Sequence, residues 1–178
     1  MDEKRIPILV GSGQITQREQ DPLVALSPMD LTASAGFKAA DDTHIGKSIL
    51  KKLDTIVVIR SFSDTSWRFK CPFGKYSNPP LSLSKRLGAE NVNRLIYTYP
   101  GGNMPQWCVN RMFEMVTRGE LEIGIIAGGE SLATQKRAER AGISLDWNED
   151  PGGEYEEWGV EKRGWSENYG MNSEFFRQ

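Results

Sequence analysis

Histidine is almost missing from this chain. His44 stands alone, and only two cysteines, Cys71 and Cys108, accompany it. A structural zinc site needs closely spaced Cys and His ligands, and no CxxC pair or His-rich stretch is present to supply them. No metal is expected. Two cysteines far apart in sequence make no disulfide framework, so a reducing compartment is the expectation. Long apolar runs are missing as well: nothing approaches the ~18 residues of a membrane-spanning helix. The apolar run Ile6–Val10 is too short for a signal peptide, so a cytoplasmic protein without a membrane span is expected. Neither sign of charge dominates, since 22 Lys and Arg face 24 Asp and Glu for a net charge of -2. A dedicated nucleic-acid binder needs a cationic surplus that this chain does not have.

What is present fits one folded domain with an appendage. The 178 residues are enough to bury a core of useful size, and 38% hydrophobic against 26% charged residues describe a globular chain rather than a disordered one. Four short runs rich in β-branched or aromatic residues read as buried strands: 6–10, 53–59, 94–99 and 123–127. The second and fourth are nearly continuous in apolar residues, which suits strands covered on both faces.

Helical patterns lie between them. Ser27-Pro28-Met29-Asp30 opens one, with Ser as N-cap, Pro at the first position and an acid in the first turn. Ala33, Ala35, Ala39 and Ala40 would let that helix approach a sheet closely. A shorter helix is predicted from Leu81 to Leu87, stopped by Gly88. A third runs from Met104 to Arg118, its apolar positions so broad that burial on more than one face is expected. The alternation predicts an α/β sheet with at least some parallel pairs joined by right-handed crossovers. After Ser131 the character changes to a charged helical stretch, 134–140, and then to a Gly-rich, acidic and aromatic run without clear periodicity. The expected division is a domain at 1–131 and an excursion from the sheet at 132–178.

Several stretches invite a chemical reading. Gly11-Ser12-Gly13 follows the first strand as a dinucleotide-binding turn would, but position 16 is Thr, so an ordinary turn is the simpler reading. His44 sits in a polar connection with no partner spacing and reads as a solvated loop residue. The loop 66–76 places Arg68, Lys70 and Lys75 among aromatics, which makes these three the candidates for holding the phosphates of an anionic cofactor. An ordinary surface loop is the competing account. The acids Glu149, Asp150, Glu154, Glu156 and Glu157 lack the ligand spacing of a calcium loop and read as a solvated face.

Pro100-Gly-Gly-Asn-Met-Pro-Gln-Trp-Cys-Val-Asn-Arg-Met112 raises the sharpest question, because a cysteine lies just inside a helix after a glycine turn. Gly101 and Gly102 allow the turn, and Asn103 is placed to cap. Cys108 then falls in the second helical turn, beyond the N–H groups that would lower a thiol pKa. It also shares a stripe with Met104 and Met112, so a core role is expected.

The run GGNMPQWCVNRMFEMVTRGELEIGIIAGGES, ending in Ala127-Gly128-Gly129-Glu130-Ser131, resembles the thiolase superfamily. The Gly-Gly-Asn-x-Pro-Gln form and the Trp-rich excursion look more like thiolase-like acetyl-CoA acetyltransferases related to the sterol-carrier-protein thiolases. The likeness covers about residues 5–131, and the remainder looks like the start of the loop domain that such proteins insert. It implies a protein of lipid metabolism, an acyltransferase that takes acyl-CoA or CoA as substrate and holds no permanent cofactor. The family's nucleophilic cysteine stands in the turn that opens the buried helix. Here that place falls on Gly101, Gly102 or Asn103, none of which is cysteine, and Cys108 comes too late to inherit the role.

The resemblance further implies that this chain contains about one half of the two-part family fold, an α/β half with a mixed, mostly parallel sheet flanked by helices. Its partners would be acyl-CoA and the missing C-terminal half, another thiolase-like chain or a second copy. Activity is not expected from such a half alone. The alternative is a non-catalytic thiolase-like subunit or scaffold that pairs with another chain through the apolar helix.

Overall fold

A computed structural model describes residues 5–65 and 67–159. The part of the expected excursion from 160 to 178, and Ser66 at the start of the cationic loop, lie outside the described residues.

The first helix, α1 (Pro28–Asp42), begins where the sequence places it. Ser27 caps it, its Oγ accepting from the Asp30 N–H at 3.2 Å. After a 3-10 turn at Gly46–Lys52 the chain enters β1 (Thr55–Val58). Next come α2 (Pro79–Leu87), β2 (Arg94–Thr98), α3 (Met104–Arg118), β3 (Gly124–Ala127), α4 (Leu132–Ala141) and β4 (Glu156–Trp158). Gly88, Gly119 and Gly142 end three of the helices in the left-handed conformation that a Cβ would strain.

The four strands among the described residues are all parallel, in the order β3-β1-β2-β4. β1 lies inside the sheet, and its residues point alternately to two cores. Ile56 and Val58 meet Met29, Ala33 and Ala40 of α1 and Leu83 and Leu87 of α2. Val57 meets Met104, Cys108, Met112 and Met115 of α3, together with Ile96 and Trp158. A smaller cluster of Cys71, Phe73, Ala138 and Trp147 joins α4 to the loops above the sheet.

Three expectations need correction and one is met. The run Ile6–Val10 is not a strand: it crosses beside the sheet without a ladder, and Ile6, Ile8, Leu9 and Val10 are 50–78% exposed. Its course is set instead by helix contacts. A Cβ on Gly11 would lie 2.3 Å from the Ala39 carbonyl oxygen, and one on Gly13 would lie 2.2 Å from that of Ala35. The two glycines therefore serve a close approach to α1, not a phosphate turn. Second, the segment after Ser131 returns to the sheet as β4, paired with β2. Its three residues, Glu-Glu-Trp, give too short a pattern to read, and side chains help hold them: Arg94 grips the Glu156 carboxylate through two hydrogen bonds of 2.8 and 2.6 Å. Third, every strand pair among the described residues is parallel, which meets the expectation of a mostly parallel α/β sheet flanked by helices. Fourth, α3 buries one face, Met104, Cys108, Met112 and Met115, while Phe113 on its other side is 38% exposed.

Candidate functional site

In a parallel sheet with helices on both faces, ligands bind beyond the carboxyl ends of the strands, where successive connections diverge. Here β1 leads through α2 to a neighbour on one side, and β2 leads through α3 to β3 on the other. A cavity of about 280 Å³ lies at this place. Ile59 to Thr65 and Gly129 to Ser131 extend from β1 and β3, and contribute to its wall with Tyr97 of β2 and Met29 and Thr32 of α1. Tyr76 and Trp147 complete the apolar lining, while Lys70, Lys75, Asp64 and Glu130 supply charge.

Each wall is fixed by an identifiable contact. Arg60 anchors the exit of β1: its Nε donates to the Thr98 carbonyl at 2.8 Å, and its other nitrogens reach Asp64 at 3.2 Å and Glu157 at 2.6 Å. Its guanidinium also stacks over the Tyr97 ring, 4.3 Å from the centroid. The exit of β3 is pressed onto α1, where a Cβ on Gly129 would fall 2.5 Å from Thr32 Oγ1. That contact aims the next residue, Glu130, whose carboxylate accepts from the Phe62 N–H. Solvent still reaches Glu130. Even so, desolvation by the surrounding walls raises its carboxyl above the ordinary range, against the lowering effect of the Phe62 hydrogen bond.

The loop carrying the lysines is held from the other side. Trp147 N–H donates to the Phe73 carbonyl at 2.7 Å, and Tyr76 and Glu149 form a parallel bridge. Arg86 of α2 locks this region to α1, binding Asp30 and Glu149 at 2.7 Å each.

The predicted residues are divided by the structure. Lys70 and Lys75 line the cavity, and Arg68 does not. Gly101, Gly102 and Asn103 come after the carboxyl end of β2 but line neither this cavity nor the larger cleft beside β3. Asn103 makes no side-chain cap, because its backbone is already helical (φ -90°, ψ -11°) and the turn is closed by the Met104 N–H on the Gly101 carbonyl, 3.0 Å. Cys108 is 0% exposed, and burial pushes its thiol up to about 12. Cys71 lines the cavity but is 7% exposed, and burial raises its thiol too, outweighing the N–H groups of Phe73 and Gly74. His44 is exposed at the end of α1, with a left-handed φ of 62°. Glu130 belongs to the 127–131 run but nothing in that run marks a cavity wall, and Asp64, Tyr97 and Trp147 carry no motif at all. The residues just beyond the ends of parallel strands are the places to look, and that rule would have found the first two. Among the described residues no group of His, Cys, Asp and Glu is placed to hold a metal, and no helix is long and apolar enough to cross a membrane.

No family model matches the chain, and no curated protein does. In its fold it is similar to the crystal structure of a monomeric SCP2-thiolase-like protein type 1 from Mycobacterium smegmatis. The TM-score is 0.57 with 23% sequence identity, covering 72% of this chain and 24% of that one. This chain thus spans about a quarter of the length of the protein it matches. The fold is thiolase-like, as the resemblance of the 101–131 run implied.

Proposed function

We propose that this chain is the acyl-CoA-binding portion of a thiolase-type, acyltransferase-like protein that works without a cysteine in the turn opening α3. The observation that carries the reading is the cavity at the strand ends, with Lys70 and Lys75 in its wall. Two cations beside an apolar lining suit a ligand with phosphates at one end and a small acyl group at the other. Acyl-CoA has that shape and would be substrate rather than resident cofactor. The turn Gly101–Asn103 carries no thiol, and Cys108 is sealed between α3 and the sheet with its proton held, so a covalent acyl-enzyme at either place is not part of the proposal. Decarboxylation, thioester hydrolysis and acyl-CoA binding without chemistry all fit this arrangement.

Titration calorimetry with acetyl-CoA tests it. Saturable heat is expected, and the double variant Lys70→Ala, Lys75→Ala should bind about tenfold more weakly if two partly screened phosphate contacts of roughly 0.7 kcal/mol each are lost. No heat from the native protein, or no weakening in the double variant, overturns the reading.

A second reading is a non-catalytic subunit that pairs through α3 with another thiolase-like chain or with a second copy. The 38% exposure of Phe113 on the outer side of α3 favours it. Sedimentation equilibrium would then show self-association that Phe113→Asp abolishes. A monomer at all concentrations, with or without a thiolase-like partner, removes this alternative.

A further inference from the structure

β1 lies between β3 and β2, and Val58 pairs with Ala127 on one side and with Tyr97 on the other. Beyond Val58 the chain leaves the sheet, and two consecutive backbone N–H groups of that exit are taken by side chains from the two flanking strands. The Ser61 N–H donates to the Tyr97 hydroxyl at 3.3 Å, and the Phe62 N–H donates to the Glu130 carboxylate. Ser61 is extended, with φ -66° and ψ 150°, so these successive N–H groups point to opposite sides. The hydroxyl and the carboxylate therefore address the exit from opposite sides, and both line the smaller cavity.

Both groups are set by the fold itself. The Arg60 guanidinium covers the Tyr97 ring at 4.3 Å, and the Tyr155 ring meets it edge to face, with centroids 5.8 Å apart. At 2% exposure Tyr97 has little room to turn. Glu130 follows Gly129, whose backbone is pressed against Thr32.

The two groups offer complementary chemistry. The Tyr97 oxygen accepts from Ser61, which leaves its proton to donate. The Glu130 carboxylate has two oxygens and takes one N–H from Phe62, so acceptor capacity remains. A donor on one side and an acceptor on the other suit a trans secondary amide, whose C=O and N–H point in opposite directions. An apolar ligand would leave both groups unpaired, and an anionic one would face the Glu130 charge.

We infer that Tyr97 and Glu130 form a donor–acceptor clamp for a secondary amide and, resting on the acyl-CoA reading above, that this amide belongs to the pantetheine arm. The Tyr97 O–H donates to the amide carbonyl, and the Glu130 carboxylate accepts the amide N–H. Lys70 and Lys75, in the wall of the same cavity, are left to the phosphates.

Two probes separate the clamp from the lysines. Pantetheine carries the amides and no phosphate, whereas ADP carries phosphates and no amide. Ligand-detected NMR titrations on the whole chain should show saturable binding of both. Tyr97→Phe and Glu130→Ala should each weaken pantetheine binding about tenfold, the loss of one well-made hydrogen bond, with a smaller effect on ADP. The double variant Lys70→Ala, Lys75→Ala should do the reverse. Pantetheine that fails to bind the native protein overturns the clamp, and that measurement needs no variant to fold. Pantetheine affinity that is unchanged in both clamp variants, or that falls only in step with ADP affinity, overturns it too. Pantetheine binding without ADP binding would sink the acyl-CoA reading and leave the amide clamp standing.

Discussion

Replacing Arg86 by Met should weaken the protein at neutral pH and do progressively less harm in acid. Arg86 joins three parts of the chain: Asp30 of α1 through Nε, Glu149 of the returning loop through Nη2, both at 2.7 Å, and the Tyr76 ring 6.0 Å away. The side chains are only partly shielded, 25% exposed for Arg86, 45% for Asp30 and 27% for Glu149. Each ion pair is therefore worth less than a buried one, and roughly 1 kcal/mol apiece is reasonable. Methionine keeps most of the aliphatic stem, so lost packing adds little. The total of about 2 kcal/mol corresponds to a fall in Tm of about 4–8 °C for a chain of this length.

The pH dependence comes from Asp30. Desolvation raises its carboxyl, but the hydrogen bonds from Arg86 and Ser27 and the Arg86 charge outweigh that, leaving it below the ordinary range. A group with a depressed folded pKa stabilises the protein above its unfolded value, ~3.9 for Asp, and loses that contribution as pH falls through the folded value. Urea midpoints of the native and Arg86→Met proteins should therefore differ most at neutral pH, and the gap should narrow as acid protonates Asp30. A gap that stays constant across that range, or that never opens at neutral pH, refutes the ion-pair account.

Three further outcomes are expected. Neither thiol should react with a disulfide reagent at about pH 8 until the protein is unfolded, since burial raises both and puts Cys108 at about 12; rapid native-state labelling of Cys108 would contradict its place between α3 and the sheet. Leu83→Ala, at a position 0% exposed between α2 and β1, should cost about 2–5 kcal/mol in urea denaturation. Ser27→Ala should cost about 1 kcal/mol, whereas Asn103→Ala should change stability by under about 0.5 kcal/mol, because only the serine caps its helix. Equal losses for the two would show that the α3 cap had been misjudged.

Much of the fold is legible where local chemistry and tertiary packing agree. α3 runs from Met104 to Arg118 as its periodicity predicts, with Gly119 ending it, and Ser27 and Pro28 mark the start of α1. The reading fails where local preference loses to contacts made elsewhere. Ile6–Val10 has the composition of a strand, but its course is decided by two glycines on α1 and an arginine at the end of α3. β4 has almost no strand composition and is placed by the burial of Trp158 in the core and its ladder with β2, with salt bridges from Arg94 and Arg60 beside them. In the candidate site, Lys70 and Lys75 stood out as clustered cations. Asp64 did not, and Glu130 stood out only within the 127–131 run, because their place in a cavity wall depends on which strand ends are neighbours, and no linear spacing encodes that.

The inside position of β1 bears on how the chain is made. β1 needs partners on both sides, and the one supplied by β3 arrives late: Asp54 and Ile123, which meet at the foot of that pairing, are 69 positions apart. At ~5–20 residues per second, synthesis leaves that side of β1 without its strand for about 3–14 s. During that interval an unpaired run of Thr-Ile-Val-Val is available to any other nascent chain. Lesions between α2 and β3 that slow this pairing should therefore appear first as lost soluble yield, before they show as lower stability of the molecules that do finish folding.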